Sequence, residues 1–272
     1  MGSIDRTAHA QVRYINPEWR GRAEAPRIGS RESRHANTAR RDIVVHDARA
    51  ATDADLGLET SGFTMRTHPT TSAGTDHERR RTQYHPEMLD LVQRESGALH
   101  TFMLGDLVRT EDQSNFNFAY ARFVHCDYNA ASIEPMSHAL LRRKGIEPEP
   151  TWTYAWYNTW QPFDRPARQN PLAMLDVRSL GPGDLIDYRY TGYDTGEDAE
   201  GGLVAAPVYN PAHRWYYYPD MTPGEVLLTK QNDARPGHTT QCPHTSFFDE
   251  TLPADVAPRR SVETRILAVF ER

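Results

Sequence analysis

The sequence predicts a mainly β protein, a jelly-roll or cupin-like barrel with a few flanking helices. Short runs rich in aromatic and β-branched residues recur along the chain, with turn signals at spacings of roughly 8–12 residues. Nineteen prolines in 272 residues disfavour long helices. One of the predicted strands leads into His125-Cys-Asp127. Such a pair of metal-binding side chains suits a pocket at the mouth of a barrel.

The predicted strands share an aromatic, β-branched or leucine-rich composition. They cover residues 12–15, 42–47, 56–65 (a turn and a strand), 99–108, 116–124, 152–160, 172–177, 185–190, 215–218, 226–229 and 266–270. Two Pro-Gly-acid sequences, at 182–184 and 223–225, precede two of these stretches. We interpret them as matching turns of one β architecture.

Two helices are predicted beside the barrel. Residues 85–94 place Met88, Leu91 and Val92 on one face, and Gly97 ends that helix. Residues 132–144 form the second predicted helix, which is also followed by a glycine.

Composition limits the classes of function and the organisation of the chain. The net charge of −6 and the pI of about 6.1 argue against nucleic acid as the main partner. No run of 18 apolar residues and no apolar signal core are present, and two cysteines make no disulfide framework. These features predict a cytoplasmic protein without a membrane segment. Residues 1–41 are predicted to form an extended Arg-rich N-terminal arm, and residues 42–272 a single domain.

The candidate metal site begins at His125 and Asp127. Alternate residues of a strand project from the same face, so these two side chains should lie together while Cys126 points away as a packed thiol. Their expected partner is His244, because an Arg-bearing strand follows it at short range. His213 and His238 are the alternatives for that third position.

Two histidines and one carboxylate form the facial triad of non-haem Fe(II) enzymes and leave three coordination positions open. The keto and carboxylate oxygens of 2-oxoglutarate can fill two of them, and dioxygen the third. The far carboxylate of 2-oxoglutarate then needs a cation, which Arg259 and the hydroxyl of Ser261 can supply. Arg265 projects from the same strand face and is the alternative, unless it pairs with a neighbouring glutamate.

Candidate substrate-binding residues lie in the aromatic stretch and after it. We expect Tyr157 and Trp160 to line an apolar pocket and Arg178 to add a charge to it. Core packing is the alternative for the aromatic residues. Pairing with Asp176 or Asp184 is the alternative for Arg178.

Seven segments carry a family resemblance. They are His125-Cys-Asp127, Tyr157-Asn-Thr-Trp160, Pro171-Leu-Ala-Met-Leu-Asp-Val-Arg-Ser179, Tyr217-Tyr-Pro-Asp-Met221, Glu225-Val-Leu-Leu-Thr-Lys230, Cys242-Pro-His244 and Arg260-Ser-Val-Glu-Thr-Arg265. Together they resemble the CmcJ/AsaB-type family, which contains a component of cephamycin 7α-methoxylation and fungal hydroxylase/desaturases. The resemblance covers residues 84–271 well and is weaker over 42–68.

The resemblance implies a double-stranded β-helix and an Fe(II)- and 2-oxoglutarate-dependent oxygenase. It also implies a small-molecule substrate from specialised-metabolite, or antibiotic, biosynthesis, with cephalosporin 7α-hydroxylation as one candidate reaction and a methyltransferase as a candidate partner. Other classes of function compete with this reading. They are a cupin-like metal-dependent isomerase and a non-catalytic accessory partner of a methyltransferase. A halogenase is disfavoured, because Asp127 would occupy the position that a halide needs.

Overall fold

The computed structural model describes residues 7–52, 54–112, 122–191 and 202–272. The strands in these ranges are β1 (Ala8–Ile15), β2 (Arg27–Ile28), β3 (Thr38–Asp47), β4 (Phe63–Thr67), β5 (His100–Arg109), β6 (Trp152–Pro162), β7 (Leu172–Leu175), β8 (Leu185–Tyr190), β9 (Gly202–Pro207), β10 (Trp215–Tyr217), β11 (Glu225–Asp233), β12 (His244–Ser246) and β13 (Ser261–Glu271). The α-helices are α1 (Arg31–Asn37), α2 (His77–Arg79), α3 (His85–Ser96) and α4 (Ile133–Arg143). A π-helical segment, Arg80–Tyr84, joins α2 to α3.

Two five-stranded sheets form the body of the protein. One has the order β4-β11-β6-β13-β5 and the other β1-β3-β10-β7-β12. A single bridge between His125 and His244 adds the segment around residue 125 to the edge of the second sheet, beside β12. Strands β8 and β9 form a third, three-stranded sheet with β2. The other strands from β6 to β13 pass repeatedly from one five-stranded sheet to the other along the chain, which is the winding of a double-stranded β-helix. The predicted fold class is confirmed.

The two faces of β6 serve different purposes. Trp160 packs between the sheets, in a cluster with Met174 of β7 and Leu227 of β11. Tyr157 is three residues away from Trp160 and therefore projects from the opposite face, in the cluster that includes Met88 of α3. This alternation follows from the two-residue period of a strand. It decides which residues of the aromatic stretch can reach a site inside the barrel.

The two predicted helices are present where the sequence indicated them. Met88, Leu91 and Val92 of α3 are buried against the outer face of β6 and β13. The helix ends at Gly97, whose φ of 70° is the left-handed conformation that favours glycine. Helix α4 packs its buried leucines, Leu140 and Leu141, into a cluster with Trp156.

The N-terminal stretch differs from the extended arm expected for residues 1–41. Strand β1 pairs along its whole length with β3, from Ala8 opposite Val45 to Ile15 opposite Thr38. The expected boundary at residue 41 therefore falls inside β3. The buried side chains of β1 include two alanines, and such small residues hide the alternation that identifies a strand. Within the described ranges, no helix is long and apolar enough to cross a membrane.

Candidate metal and co-substrate site

Backbone pairing brings two histidines together across a long stretch of sequence. The N–H of His125 donates to the carbonyl of His244 at 3.1 Å, and the N–H of His244 donates to the carbonyl of His125 at 2.9 Å. Residues that exchange both bonds in this way lie directly opposite each other in an antiparallel pair. The two imidazole rings consequently sit with their centroids 4.6 Å apart.

Asp127 completes a cluster with these two histidines. One ligand atom from each of His125, Asp127 and His244 lies within 4.8 Å of the other two. His125 directs Nδ1 to the carbonyl of Phe123 at 2.7 Å, which assigns the proton to that nitrogen. Its Nε2 is left to face Oδ1 of Asp127, at 3.6 Å. Two imidazole nitrogens and one carboxylate oxygen thus converge, and this donor set fits a facial Fe(II) site.

The protonation states suit a metal as well. Burial, together with the neighbouring His244, lowers the pKa of His125 to about 4, although Asp127 and the hydrogen bond to the Phe123 carbonyl act in the opposite direction. Burial alone would raise the pKa of Asp127, but the charge of Arg265 and the two histidines outweigh it and hold that pKa far below its usual range. At neutral pH, His125 is therefore neutral and Asp127 ionised. Metal ligands need those states.

Side chains from β6 and β13 surround the Asp127 carboxylate. Nδ2 of Asn158 donates to Oδ2 of Asp127 at 2.5 Å. Nη2 of Arg265 lies 3.5 Å from Oδ1, and Nε of Arg265 lies 3.3 Å from Oε1 of Glu263. Asn158 and Arg265 are register partners on adjacent strands. The sequence did not point to Asn158 or to a site role for Glu263, although Asn158 lies on the same strand face as Trp156 and Trp160.

A second group of predicted residues lies at the start of β13. Arg259 is only 2% exposed. Its Nε donates to Oγ of Ser261 at 3.2 Å, Nη1 donates to the carbonyl of Asn170, and the guanidinium lies 5.2 Å from the centroid of the Trp160 ring. The structure therefore brings Arg259, Ser261 and Trp160 together.

Two buried donors, of which one lies beside Arg259, lack an acceptor among the described residues. Nε1 of Trp160 is buried without a hydrogen bond, and so is Oγ of Ser246. Ser246 follows His244 by two residues on β12, so both project from the same face. Buried polar atoms normally have partners, and unpaired donors beside a buried cation are suited to an anionic ligand.

Two predicted substrate-binding residues lie away from the cluster. Tyr157 occupies the outer face of β6, where its hydroxyl accepts a hydrogen bond from Nη2 of Arg235 at 3.3 Å. Arg178 pairs with Asp176 at 2.8 Å and donates to the carbonyl of Asp55. Tyr157 lies away from the site because its position in the strand directs it to the outer face. Arg178 lies away from it because it pairs with the nearby carboxylate of Asp176. Trp160 is the predicted substrate residue that does face the interior.

The alternative histidines have other partners. His213 lies 3.1 Å from the hydroxyl of Tyr14 and 3.2 Å from Oδ2 of Asp184. His238 lies 3.0 Å from Oε2 of Glu59. Cys126 is a buried free thiol, and burial raises its pKa. The predicted strand 116–124 lies largely outside the described residues.

A second group of histidine and carboxylate side chains, which we call the lysine cluster, lies elsewhere. Glu59, Asp233 and His238 also bring one ligand atom each within 4.8 Å of the others. Here Nζ of Lys230 lies 2.6 Å from Glu59 and 2.9 Å from Asp233, and Arg235 lies 2.6 Å from Asp233. The chain's own cations occupy the position that a metal ion would take.

Comparison with known proteins places the chain in a family of oxidoreductases. The family model described as "Oxidoreductase/YMDC permease-like domain" matches residues 12–270. The hydroxylase/desaturase asaB of Aspergillus flavus is 31% identical over 159 residues, which cover 54% of this chain and 70% of the relative. The chain belongs to this hydroxylase/desaturase family, and the predicted resemblance is confirmed. The hydroxylase/desaturase efuI of Hormonema carpetanum is 29% identical over 97% of this chain and 96% of its own length.

A solved structure supports the fold. The "iron and alpha-ketoglutarate-dependent endoperoxidase NvfI" superposes with a TM-score of 0.81 over the whole of both chains, at 22% identity. That likeness establishes the double-stranded β-helix.

Proposed function

We propose that the protein is an Fe(II)- and 2-oxoglutarate-dependent oxygenase that hydroxylates or desaturates a small-molecule intermediate of specialised metabolism. The convergence of His125, Asp127 and His244 inside the double-stranded β-helix carries this proposal. Family membership adds support, as does the name of NvfI, which gives iron and alpha-ketoglutarate as the requirements of that enzyme.

The three residues of the cluster would hold iron through one face. His125 offers Nε2, because its Nδ1 is engaged with the Phe123 carbonyl. Asp127 offers Oδ1, the oxygen that faces His125. With 2-oxoglutarate and dioxygen, bound iron supplies the oxidation of an unactivated C–H bond. The protein's own part is to leave three positions open on the other face and to hold the co-substrate there.

Arg259 is the better candidate for the far carboxylate of 2-oxoglutarate. Arg265 lies 3.5 Å from a proposed metal ligand and 3.3 Å from Glu263, so two carboxylates already compensate its charge. A dicarboxylate that chelates the metal at one end has its other end several ångströms away from the ligands. Arg259 and Ser261 precede Arg265 by six and four residues and lie by the ring of Trp160, whose Nε1 is unpaired. Charge-assisted hydrogen bonds from these groups would bind that carboxylate.

The substrate itself stays a prediction. Trp160 remains a candidate wall of the pocket, whereas Tyr157 and Arg178 lie elsewhere. Cephalosporin 7α-hydroxylation is one candidate reaction, and a methyltransferase is the candidate partner. A location in the cytoplasm is likewise a hypothesis.

Turnover under ¹⁸O₂ tests the proposal. Metal-free protein is supplied with Fe(II), 2-oxoglutarate and a panel of small metabolites, and succinate and products are analysed by mass spectrometry. We expect one label atom in succinate and, for a hydroxylated product, a second in the product. The Asp127→Ala variant is the matched control and should form no labelled succinate. Turnover of a substrate without dioxygen would instead support the isomerase, and an iron-loaded protein that never consumes 2-oxoglutarate would support the accessory role.

A further inference from the structure

We propose that Asn158 is a positioning residue that fixes which oxygen of Asp127 faces the metal, an inference that rests on the proposed iron site. Asn158 lies on the inner face of β6 and is 3% exposed. Its amide donates to Oδ2 of Asp127 at 2.5 Å. The other oxygen, Oδ1, lies 3.6 Å from Nε2 of His125. The two carboxylate oxygens are thus divided between the amide and the ligand cluster.

The position of Asp127 needs such support because strand pairing does not fix it. His125 is held by two backbone hydrogen bonds to His244. The N–H of Asp127 instead donates to a side chain, Oε1 of Gln231, at 3.2 Å. The main chain is anchored one residue earlier, where the N–H of Cys126 donates to the carbonyl of Ala205 at 2.8 Å. The described hydrogen bonds to the Asp127 carboxylate itself come from the side chains of Asn158 and Arg265.

The orientation matters for the number of open coordination positions. A carboxylate can bind a metal through one oxygen or through both. If Asp127 used both oxygens, the protein would occupy four of six positions and leave two. Chelation by 2-oxoglutarate and binding of dioxygen together require three. By engaging Oδ2, Asn158 keeps Asp127 to one coordinating oxygen.

Arg265 does not supply the same constraint. Its Nη2 lies 3.5 Å from Oδ1, whereas charge-assisted N–H···O bonds measure about 2.7–2.9 Å. It contributes charge near Asp127 and is itself drawn to Glu263. Within the described part of the chain, the Asn158 side chain makes one hydrogen bond, which is the bond to Asp127. The Oδ1 atom of Asn158 has no hydrogen-bond partner there.

Metal titration of Asn158→Leu tests the inference. Leucine has a similar volume and cannot donate a hydrogen bond, and Co(II) serves as the probe because it is stable in air and has a visible spectrum that depends on coordination. We expect Co(II) affinity to fall by about 10–100-fold, as is usual when the partner of a metal ligand is removed. At saturating Co(II), 2-oxoglutarate should also bind more weakly, because a second oxygen of Asp127 competes for its position, and the visible spectrum should change.

Two controls separate positioning from general damage. Gln161→Leu removes another buried amide of β6, whose Nε2 donates to the carbonyls of His68 and Pro223 on the outer face. It should lower stability and leave Co(II) affinity unchanged. Asn158→Ala removes the amide without adding bulk. If leucine at position 158 strains the strand, the Co(II) affinity of this second variant tests the same inference.

A double-mutant comparison decides the outcome. In an Asp127→Ala background, Asn158→Leu should have no further effect on Co(II) affinity, because Asn158 acts through that carboxylate. An equal loss in both backgrounds, or unchanged affinity and spectrum in the single variants, would overturn the inference. If instead Asp127→Ala binds Co(II) as tightly as the unaltered protein, the proposed iron site itself is wrong.

Discussion

The proposed iron cluster (His125, Asp127, His244) and the lysine cluster (Glu59, Asp233, His238) each combine histidine with carboxylate side chains, with ligand atoms within 4.8 Å of one another. They differ in where the positive charge lies. Lys230 and Arg235 contact the carboxylates of the lysine cluster directly, at 2.6–2.9 Å. In the proposed iron cluster, Arg265 lies 3.5 Å from Asp127, and the neutral amide of Asn158 donates to the other oxygen of that carboxylate.

The difference shows how one set of residue types serves two purposes. The N–H of Lys230 also donates to the carbonyl of Gly62 at 2.8 Å, and its ammonium reaches Glu59 in the preceding loop. The lysine cluster thus joins β11 to the segment before β4. A cation covalently attached to the chain makes such a cluster structural, whereas the proposed iron cluster would hold an exchangeable ion.

The largest expected effect separates the two clusters by metal content. Asp127→Ala and His244→Ala should each remove most bound Fe(II), because two remaining ligands hold the ion poorly. Asp233→Ala is the matched control and should leave the iron content unchanged. Iron per protein chain, measured after loading and desalting, gives the comparison. Full occupancy in Asp127→Ala together with loss in Asp233→Ala would reverse the assignment of the clusters.

The next effect should appear in stability and not in metal content. Lys230→Met leaves the buried Asp233 carboxylate with less compensation, and breaking a buried pair from one side costs about 3–5 kcal/mol. We expect the lower end, because Arg235 still contacts Asp233. Urea denaturation of the metal-free protein measures this loss, and Arg81→Met, at an exposed pair with Glu78, should change the unfolding free energy far less. Equal losses in the two variants would show that Lys230 has no special structural role.

A third effect concerns the two arginines near the iron cluster. Arg259→Ala should weaken binding of 2-oxoglutarate by about 2–3 kcal/mol, on the order of a hundredfold, and leave iron content unchanged. Arg265→Ala should have its main effect on the metal, because it adjoins Asp127. Equilibrium binding of 2-oxoglutarate to the Co(II)-loaded variants distinguishes them. If Arg259→Ala left 2-oxoglutarate binding unchanged and Arg265→Ala greatly weakened it, Arg265 would be the residue that binds the co-substrate carboxylate. The proposed reaction class would stand.

The smallest effect is the response of the lysine cluster to acid. Burial raises the pKa of Asp233, but the hydrogen bond from Arg235 and the charge of Lys230 outweigh it, so the pKa is lowered from 3.8. A carboxyl with a lowered pKa in the folded state contributes stability that is fully present above its ordinary value and is lost as pH falls through the lowered one. Unfolding free energies of the metal-free protein, measured from pH 7 to pH 3, should therefore decline more steeply than those of Asp233→Asn. Parallel curves for the two proteins would contradict this assignment.

Some features of the fold and site were predictable because they depend on local periodicity. The alternation of a strand placed His125 and Asp127 on one side and Cys126 on the other, and the spacing of Met88, Leu91 and Val92 predicted α3. The choice of His244 over other histidines rested on the strand that follows it. Each of these inferences needs only a few neighbouring residues.

Other features depend on pairing between distant strands, which periodicity does not reveal. Tyr157 and Trp160 differ in parity, but the sequence does not say which face of β6 is covered by α3. In the sequence, nothing distinguishes Asn158 from other polar residues of an aromatic strand. Its role depends on the contact with Asp127, which only the fold reveals. The role of Arg178 was ambiguous in the sequence, because a carboxylate two residues away, Asp176, offers it a partner outside any pocket. Integration of β1 into the second sheet was concealed by its alanines.

The reciprocal hydrogen bonds between residues 125 and 244 have a consequence for how this scaffold can diverge. Because the main chain pairs residues 125 and 244 directly, substitutions in surrounding side chains leave the two histidines opposite each other. The third ligand has no such pairing, since the described hydrogen bonds to its carboxylate come from side chains. A replacement at position 127 therefore disturbs no strand pairing, whereas moving either histidine would require a new register. New metal chemistry in a descendant of this chain is accordingly most accessible through that single position.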